Sequence, residues 1–167
     1  MVGTCDYRLT QELQTRDSDV ADAKIVLIGP GEIGLLSDLY GRIFSPPEDE
    51  AFFRRRFHGR HNVSIFVALY GDHHVGFAVG FELKPDTYYC WLCGVLQDVR
   101  RLSVATQLMQ AQQAFAAEHG YLILRFECQN QHRPMLHFAI TEGYDLVGMR
   151  WDTVSAANVA IFEKDLR

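Results

Sequence analysis

The spacing of apolar residues changes several times along the chain, and each change marks an element. Residues 24–29, KIVLIG, form a short apolar run that reads as a strand. Residues 31–44, GEIGLLSDLYGRIF, then place Ile33, Leu36, Leu39, Tyr40 and Ile43 at helical spacing. Pro46-Pro47 interrupts the chain. A second helix is expected after it, with Glu48, Asp49 and Glu50 in its first turn and Arg54, Arg55 and Arg56 in its later turns, matching the helix dipole. Three apolar runs follow, 64–70, 75–83 and 87–96, separated by Gly71-Asp72-His73-His74 and by Lys84-Pro85-Asp86, which predicts an antiparallel meander.

Residues 103–119 carry Val104, Leu108, Ala111 and Phe115 on one stripe, and Gly120 stands where a helix C-cap belongs. YLILRFEC (121–128) is a nearly continuous apolar run, expected to be buried on both faces and to lie parallel to the strand before the helix. A shorter helix from about Pro134 to Glu142 ends at Gly143, and YDLVGMRW and VAIFEKDL close the chain as two strands. The expectation is an α/β (α+β) domain over residues 24–167, with about seven strands and four helices in one mixed, mostly antiparallel sheet. Residues 1–23 are polar and acidic and read as a leader, with one or two helical turns around Gln11 to Gln14.

Composition narrows the function class. The chain is 167 residues long, about one domain, and 48% of it is hydrophobic, enough for a packed core. Its net charge of −5 argues against binding nucleic acid or an anionic membrane. No apolar stretch approaches the roughly 20 residues that a bilayer span needs, and no secretory signal is evident, so the cytoplasm is the expected location. Cys5, Cys90, Cys93 and Cys128 lack disulfide-framework spacing and are expected to be reduced. Cys90-Trp-Leu-Cys93 has the spacing of half a zinc site, but in a regular strand residues three apart face opposite sides, so no metal is expected.

Two segments compete as phosphate sites. Gly29-Pro30-Gly31-Glu32-Ile33-Gly34 matches a dinucleotide-binding turn, and an acidic cluster, Glu48 to Glu50, lies about 20 residues on. That cluster follows Pro46-Pro47 where a second parallel strand should be, and a meander replaces the repeated βαβ units, so nicotinamide binding is the lesser reading. The second segment runs from Val95 and Leu96 through Arg100, Arg101, Leu102, Ser103, Val104, Ala105 and Thr106 into the main helix. A helix start offers unpaired N–H groups and partial positive charge, and the two arginines add cationic donors.

With these motifs in this order, the chain resembles the GNAT superfamily of acyl-CoA-dependent N-acyltransferases over about residues 24–167. The family's Arg/Gln-x-x-Gly-x-Gly/Ala loop aligns with Arg100 to Ala105, where Arg100 and Ala105 agree and Ser103 replaces the first glycine. Gly143-Tyr144 is similar to the family's Gly-Phe/Tyr signature. The resemblance implies a splayed parallel strand pair that binds acetyl-CoA or another acyl-CoA, with Val95 and Leu96 supplying backbone donors. It implies transfer to a small-molecule or protein amine, and a homodimer is compatible with it. The slot that often holds a CoA-contacting asparagine falls at His132, with Asn130 nearby. The usual tyrosine slot falls at Ala139, and the slot of a fourth-strand carboxylate falls near Trp91.

Tyr89, Glu127 and His137 are therefore the candidate catalytic side chains, with Tyr88 as another hydroxyl and Glu82 as another carboxylate. Tyr40, Phe44, Glu48 and Phe53 are the candidate substrate contacts, an acidic and aromatic set suited to a cationic amine. Ser103, His132 and Ala139 also motivate a second reading, a CoA-binding sensor or interaction module without turnover.

Overall fold

The computed structural model describes residues 23–100 and 102–167; the expected leader helix and Arg101 lie outside the described residues. β1 (Lys24–Ile28) leads through a 3-10 turn, Pro30–Glu32, into α1 (Ile33–Ile43), and α2 (Glu50–Phe57) follows. β2 (Ser64–Tyr70), β3 (His73–Lys84) and β4 (Thr87–Val95) make the meander. α3 (Val104–Glu118), β5 (Ile123–Gln129), α4 (Arg133–Thr141), β6 (Asp145–Asp152) and β7 (Ala157–Asp165) complete the fold. These elements match the expected order, with ends shifted by a residue or two.

Local chemistry accounts for the helix ends. The Asp49 carboxylate accepts a hydrogen bond from the Phe52 N–H at 2.8 Å and caps α2. At the end of α3, Gly120 adopts φ 82°; its N–H bonds to the Ala117 carbonyl and the Tyr121 N–H to that of Ala116, a Schellman closure. α4 ends the same way. Gly143 adopts φ 74° and bonds to Ile140, while the Tyr144 N–H bonds to Ala139 at 2.8 Å. The Gly-Tyr pair is thus a helix stop that turns the Tyr144 ring into the core, edge-on to Phe126.

All strands join one sheet in the order β1-β2-β3-β4-β5-β7-β6, in which β4 and β5 are the parallel pair. One face is covered by α1 and α2, which bury Ile33, Leu36, Leu39 and Phe53 against Ile65, Val67, Phe77 and Val79. α3 and α4 cover the other, around Leu108, Met109, Leu124, Phe126 and Phe162. The expectation that β5 is buried on both faces is corrected. Leu124 and Phe126 are buried, but Arg125 and Glu127 are only partly buried, because the core under α1 and α2 draws on β1 to β4 and takes no residue from β5.

The nicotinamide reading fails on topology. β1 is an edge strand paired antiparallel to β2, so no crevice between parallel strands exists at Gly29. The Gly29 N–H is taken by the Glu32 carboxylate at 3.1 Å, and a methyl group on Gly34 would stand 3.0 Å from Glu50 Oε1. Two carboxylates therefore occupy the ground a pyrophosphate would need.

Candidate functional site

A single extra residue creates the site. In the β3–β4 ladder, Val79 faces Leu92 and Gly80 faces Cys90, which leaves Trp91 without an opposite number. On its other side β4 pairs with β5 only from Thr87–Ile123 to Cys90–Phe126. Beyond those residues the two strands part, and a cavity of about 390 Å³ opens between them. Its walls include Cys90, Trp91, Leu92 and Cys93 from β4 and Phe126, Glu127, Cys128 and Gln129 from β5. Phe44 stands on the α1 side, and Met109, His132 and Met135 on the side of α3 and α4.

The bulge also reverses the expected directions of two side chains. Trp91 and Leu92 both pack into the core under α1 and α2, and Cys90 and Cys93 both turn toward α3 and α4. Contrary to the expectation for an unbroken pleat, Cys90 and Cys93 therefore share a face although they are three residues apart. Among the described residues no group of three or more potential ligands converges on a metal position. The Cys90 thiol instead donates to the Met109 sulfur at 3.4 Å. Burial pushes the Cys90 thiol well up, Cys93 up to about 12 and Cys128 up to about 11, so all three are thiols near neutrality.

Ladder alternation identifies the backbone donors. The Leu96 N–H bonds to the Val75 carbonyl at 2.8 Å, so the Val75–Leu96, Phe77–Gly94 and Val79–Leu92 pairs are the hydrogen-bonded ones. The N–H groups of Cys93 and Val95 then point away from β3, toward the gap. Of the expected pair Val95 and Leu96, Leu96 is corrected: its donor is already spent on β3, and Cys93 takes its place.

Past the gap, a 3-10 turn (Gln97–Val99) delivers Arg100, whose Nε donates to the Val95 carbonyl at 3.3 Å. Leu102 leads to Ser103, which precedes α3 with φ 60° and ψ 11°, a left-handed conformation that glycine adopts without penalty. The first intrahelical bond runs from Gln107 N–H to the Ser103 carbonyl. Val104, Ala105 and Thr106 therefore present N–H groups with no partner inside the helix. The Ser103 hydroxyl does not cap them.

On the face toward α1 and α2, Glu127 borders the cavity and is held by Arg150, with Nε and Nη2 each 2.9 Å from Oε2. Arg150 also reaches Asp152 at 3.2 Å. Tyr89 lies close enough to feel these charges. Its phenol is pushed up to about 12, chiefly by burial and then by Glu127, against the opposing pull of Arg150 and Arg56. Its ring packs edge-on to Phe81, 5.8 Å between centroids.

Several candidates lie elsewhere. His137 is on the exposed face of α4 and does not border the cavity. Asn130 is exposed, and its N–H bonds to the Asn158 carbonyl. Phe53 is 0% exposed among Tyr40, Phe52, Phe57 and Trp91, a core ring rather than a substrate contact. Tyr40 packs on Phe44 and Phe53, and Glu48 receives the Ser37 hydroxyl on its backbone carbonyl; neither borders the cavity. Tyr88 is buried, with its hydroxyl bonded to Ser64 and to the Asn62 carbonyl. Glu82 accepts the Tyr121 hydroxyl at 2.7 Å. Phe44, Glu127 and His132 are the side-chain candidates that the structure brings together on the cavity. Sequence reasoning missed the roles of Cys93, Cys128, Met135 and Arg150; the adjacent large residues Trp91 and Leu92 are the one local sign that the alternation breaks there.

Comparison with solved structures returns the same fold. The ribosomal-protein-S18-alanine N-acetyltransferase of Escherichia coli superposes with a TM-score of 0.74 at 14% identity, covering 86% of this chain and 94% of that one. An IAA acetyltransferase of Bacillus cereus gives 0.72 at 15% identity, covering 86% and 99%. A GNAT family acetyltransferase of Elizabethkingia anophelis with acetyl-CoA bound gives 0.67 at 14%, covering 86% and 98%. Comparison with curated protein sequences returns no match. The Acetyltransferase (GNAT) family matches residues 34–143, a span running from α1 through the splayed strands to the glycine that ends α4, and this chain belongs to that family.

Proposed function

We propose that this protein is an acyl-CoA-dependent N-acyltransferase that moves an acetyl group from acetyl-CoA to a primary amine by direct attack. The observation that carries this reading is the parting of β4 and β5 after Cys90 and Phe126, which turns the N–H groups of Cys93 and Val95 into the gap. Buried main-chain donors need partners, and the amide-rich arm of CoA has the acceptors to supply them. The start of α3, with the N–H groups of Val104, Ala105 and Thr106 and the Arg100 guanidinium nearby, suits the pyrophosphate. Bound acyl-CoA supplies the activated thioester, whose C–S bond breaks as the new C–N bond forms.

The chain's own groups prepare the amine. Glu127 borders the cavity as an ion-paired carboxylate and takes the proton that the amine must lose, directly or through water. Arg150 fixes the orientation of that carboxylate. Tyr89 lies beside Glu127 and shapes the acceptor side. Ala139 is buried in the core and carries no hydroxyl to serve the departing thiolate; we assign that part to the His132 imidazole on the cavity wall.

The buried Ala139 and the left-handed Ser103 favour a second reading, a CoA-binding sensor without turnover. Both readings bind CoA, and chemistry separates them. Thiol release from acetyl-CoA is measured over a panel of amino acids, polyamines, aminoglycosides and lysine peptides, beside calorimetry with CoA. Amine-dependent release supports the enzyme, and CoA binding without release supports the sensor. No heat with CoA overturns both.

A further inference from the structure

Beside the cavity, two guanidinium groups lie over an aromatic floor. Arg56 Cζ stands 4.7 Å from the Trp91 ring centroid and 5.8 Å from that of Phe81, and Arg60 Cζ stands 4.7 Å above Phe81. Phe81 is packed against both Tyr89 and Trp91, so the floor runs from β3 to β4 and ends at the cavity wall that Trp91 forms. On the far side of Tyr89 stands Glu127 with its Arg150 clamp.

The charges on this floor are unevenly matched. Arg150 is neutralised by Glu127 and Asp152, and Arg54 by Glu50. Arg56 and Arg60 form no ion pair among the described residues, although Arg56 is close enough to act on the Tyr89 phenol. A guanidinium stacked on a ring is engaged through its face. Its in-plane N–H donors remain open, in the fork geometry that suits a carboxylate. The acidic residue expected to greet a cationic substrate, Glu48, does not border the cavity.

We propose that the acceptor is a primary amine that itself carries a carboxylate, an amino acid in chemical class, with the carboxylate held by Arg56 and Arg60 and the amine delivered toward Glu127 across Tyr89 and Trp91. This rests on the acyltransferase reading and adds the substrate class. Tyr89 and Trp91, both only partly buried, favour an apolar side chain between the two charged ends. The two guanidinium groups thus select against a plain amine or a diamine, whose far end would meet cations with nothing to pair them.

The test compares matched acceptors, phenylalanine, phenylalaninamide and phenethylamine, with acetyl-CoA as donor. At least a tenfold higher kcat/KM for phenylalanine over its amide is expected. Arg56→Gln should collapse that ratio to near one, and Arg56→Lys should restore part of it. Equal rates for acid and amide, or an undisturbed ratio in Arg56→Gln, overturn the proposal. A readout without turnover keeps the two readings apart: N-acetylphenylalanine and N-acetylphenylalaninamide are titrated into protein saturated with CoA. Binding of the acid alone, lost in Arg56→Gln, supports the carboxylate site even if no amine is acetylated, in which case the acyltransferase reading falls by itself. Absence of binding, or equal binding of the two, sinks the carboxylate site.

Discussion

Cys90 and Cys93 are three residues apart on one strand and share one face of the sheet, because Trp91 takes the extra position of a bulge. With Cys128 they put three thiols on the wall of the cavity.

The protonation of these thiols has a measurable consequence. Burial pushes Cys128 up to about 11, so at pH 7.5 the thiolate is on the order of one part in several thousand. Alkylation of Cys128 by iodoacetamide is expected to be slow at pH 7.5 and to quicken about tenfold per pH unit up to about pH 11, as followed by peptide mass spectrometry. A plateau near pH 9 would show a thiol that is not desolvated. The sign for stability follows. A folded-state value above the unfolded value of roughly 8.5 means that the native chain holds protons the unfolded chain has released. Stability contributed by Cys93 and Cys128 is thus complete below about pH 8.5 and is lost as pH rises toward their folded values of about 12 and about 11.

Ser103 holds a left-handed backbone with a side chain attached, at φ 60°. That conformation costs a non-glycine residue roughly 1 kcal/mol. Ser103→Gly is expected to raise the melting temperature by a few degrees for a domain of this size and to leave or improve CoA affinity by clearing the Cβ from the start of α3. Ser103→Val should lower both. Thermal unfolding with and without CoA checks the pair, and a Gly variant no more stable than the parent would mean that the hydroxymethyl group makes a compensating contact.

The order of elements was legible in the sequence because each has its own punctuation: Pro46-Pro47 before α2, Gly71 and Pro85 in the meander turns, Gly120 and Gly143 closing two helices with the same Schellman geometry. The parallel placement of β5 followed from the crossover through α3. The site was less legible, since it depends on register. In YYCWLCGV only the adjacent large residues Trp91 and Leu92 hint at a break, yet the unmatched Trp91 decides which thiols share a face and which N–H groups are free. Phe53 and Glu127 show the same limit from another side. Phe53 sits in a helix pattern compatible with exposure and Glu127 in a run expected to be buried on both faces, and only the extent of the α1 and α2 cover leaves the first at 0% and the second on the cavity.

Gly94 faces the end of α1 with no room to spare. A methyl group there would stand 2.7 Å from Phe44 Cε2 and 2.9 Å from Ile43 Cγ2. Gly94→Ala must push the Phe44 ring, which lines the cavity, away from β4. The expected result is a loss of about 1–3 kcal/mol in denaturant unfolding together with a raised KM for the acceptor. A normal KM in a destabilised variant would remove Phe44 from the acceptor site.

Gln112 lies on the buried side of α3, 0% exposed, and neither its Nε2 nor its Oε1 has a hydrogen-bond partner among the described residues. Its amide sits against Gly80 of β3, where a methyl group would meet Nε2 at 3.0 Å. Two polar atoms without a protein partner in an apolar interior each carry a desolvation cost. Gln112→Met keeps the length of the side chain and removes both polar atoms, and it is expected to stabilise the fold by about 1–3 kcal/mol. The urea midpoint should rise at unchanged slope, because the surface exposed on unfolding hardly changes. A lower midpoint would mean that the amide is satisfied in solution, and the helix that begins at Val104 would then be anchored to β3 by a polar contact as well as by packing.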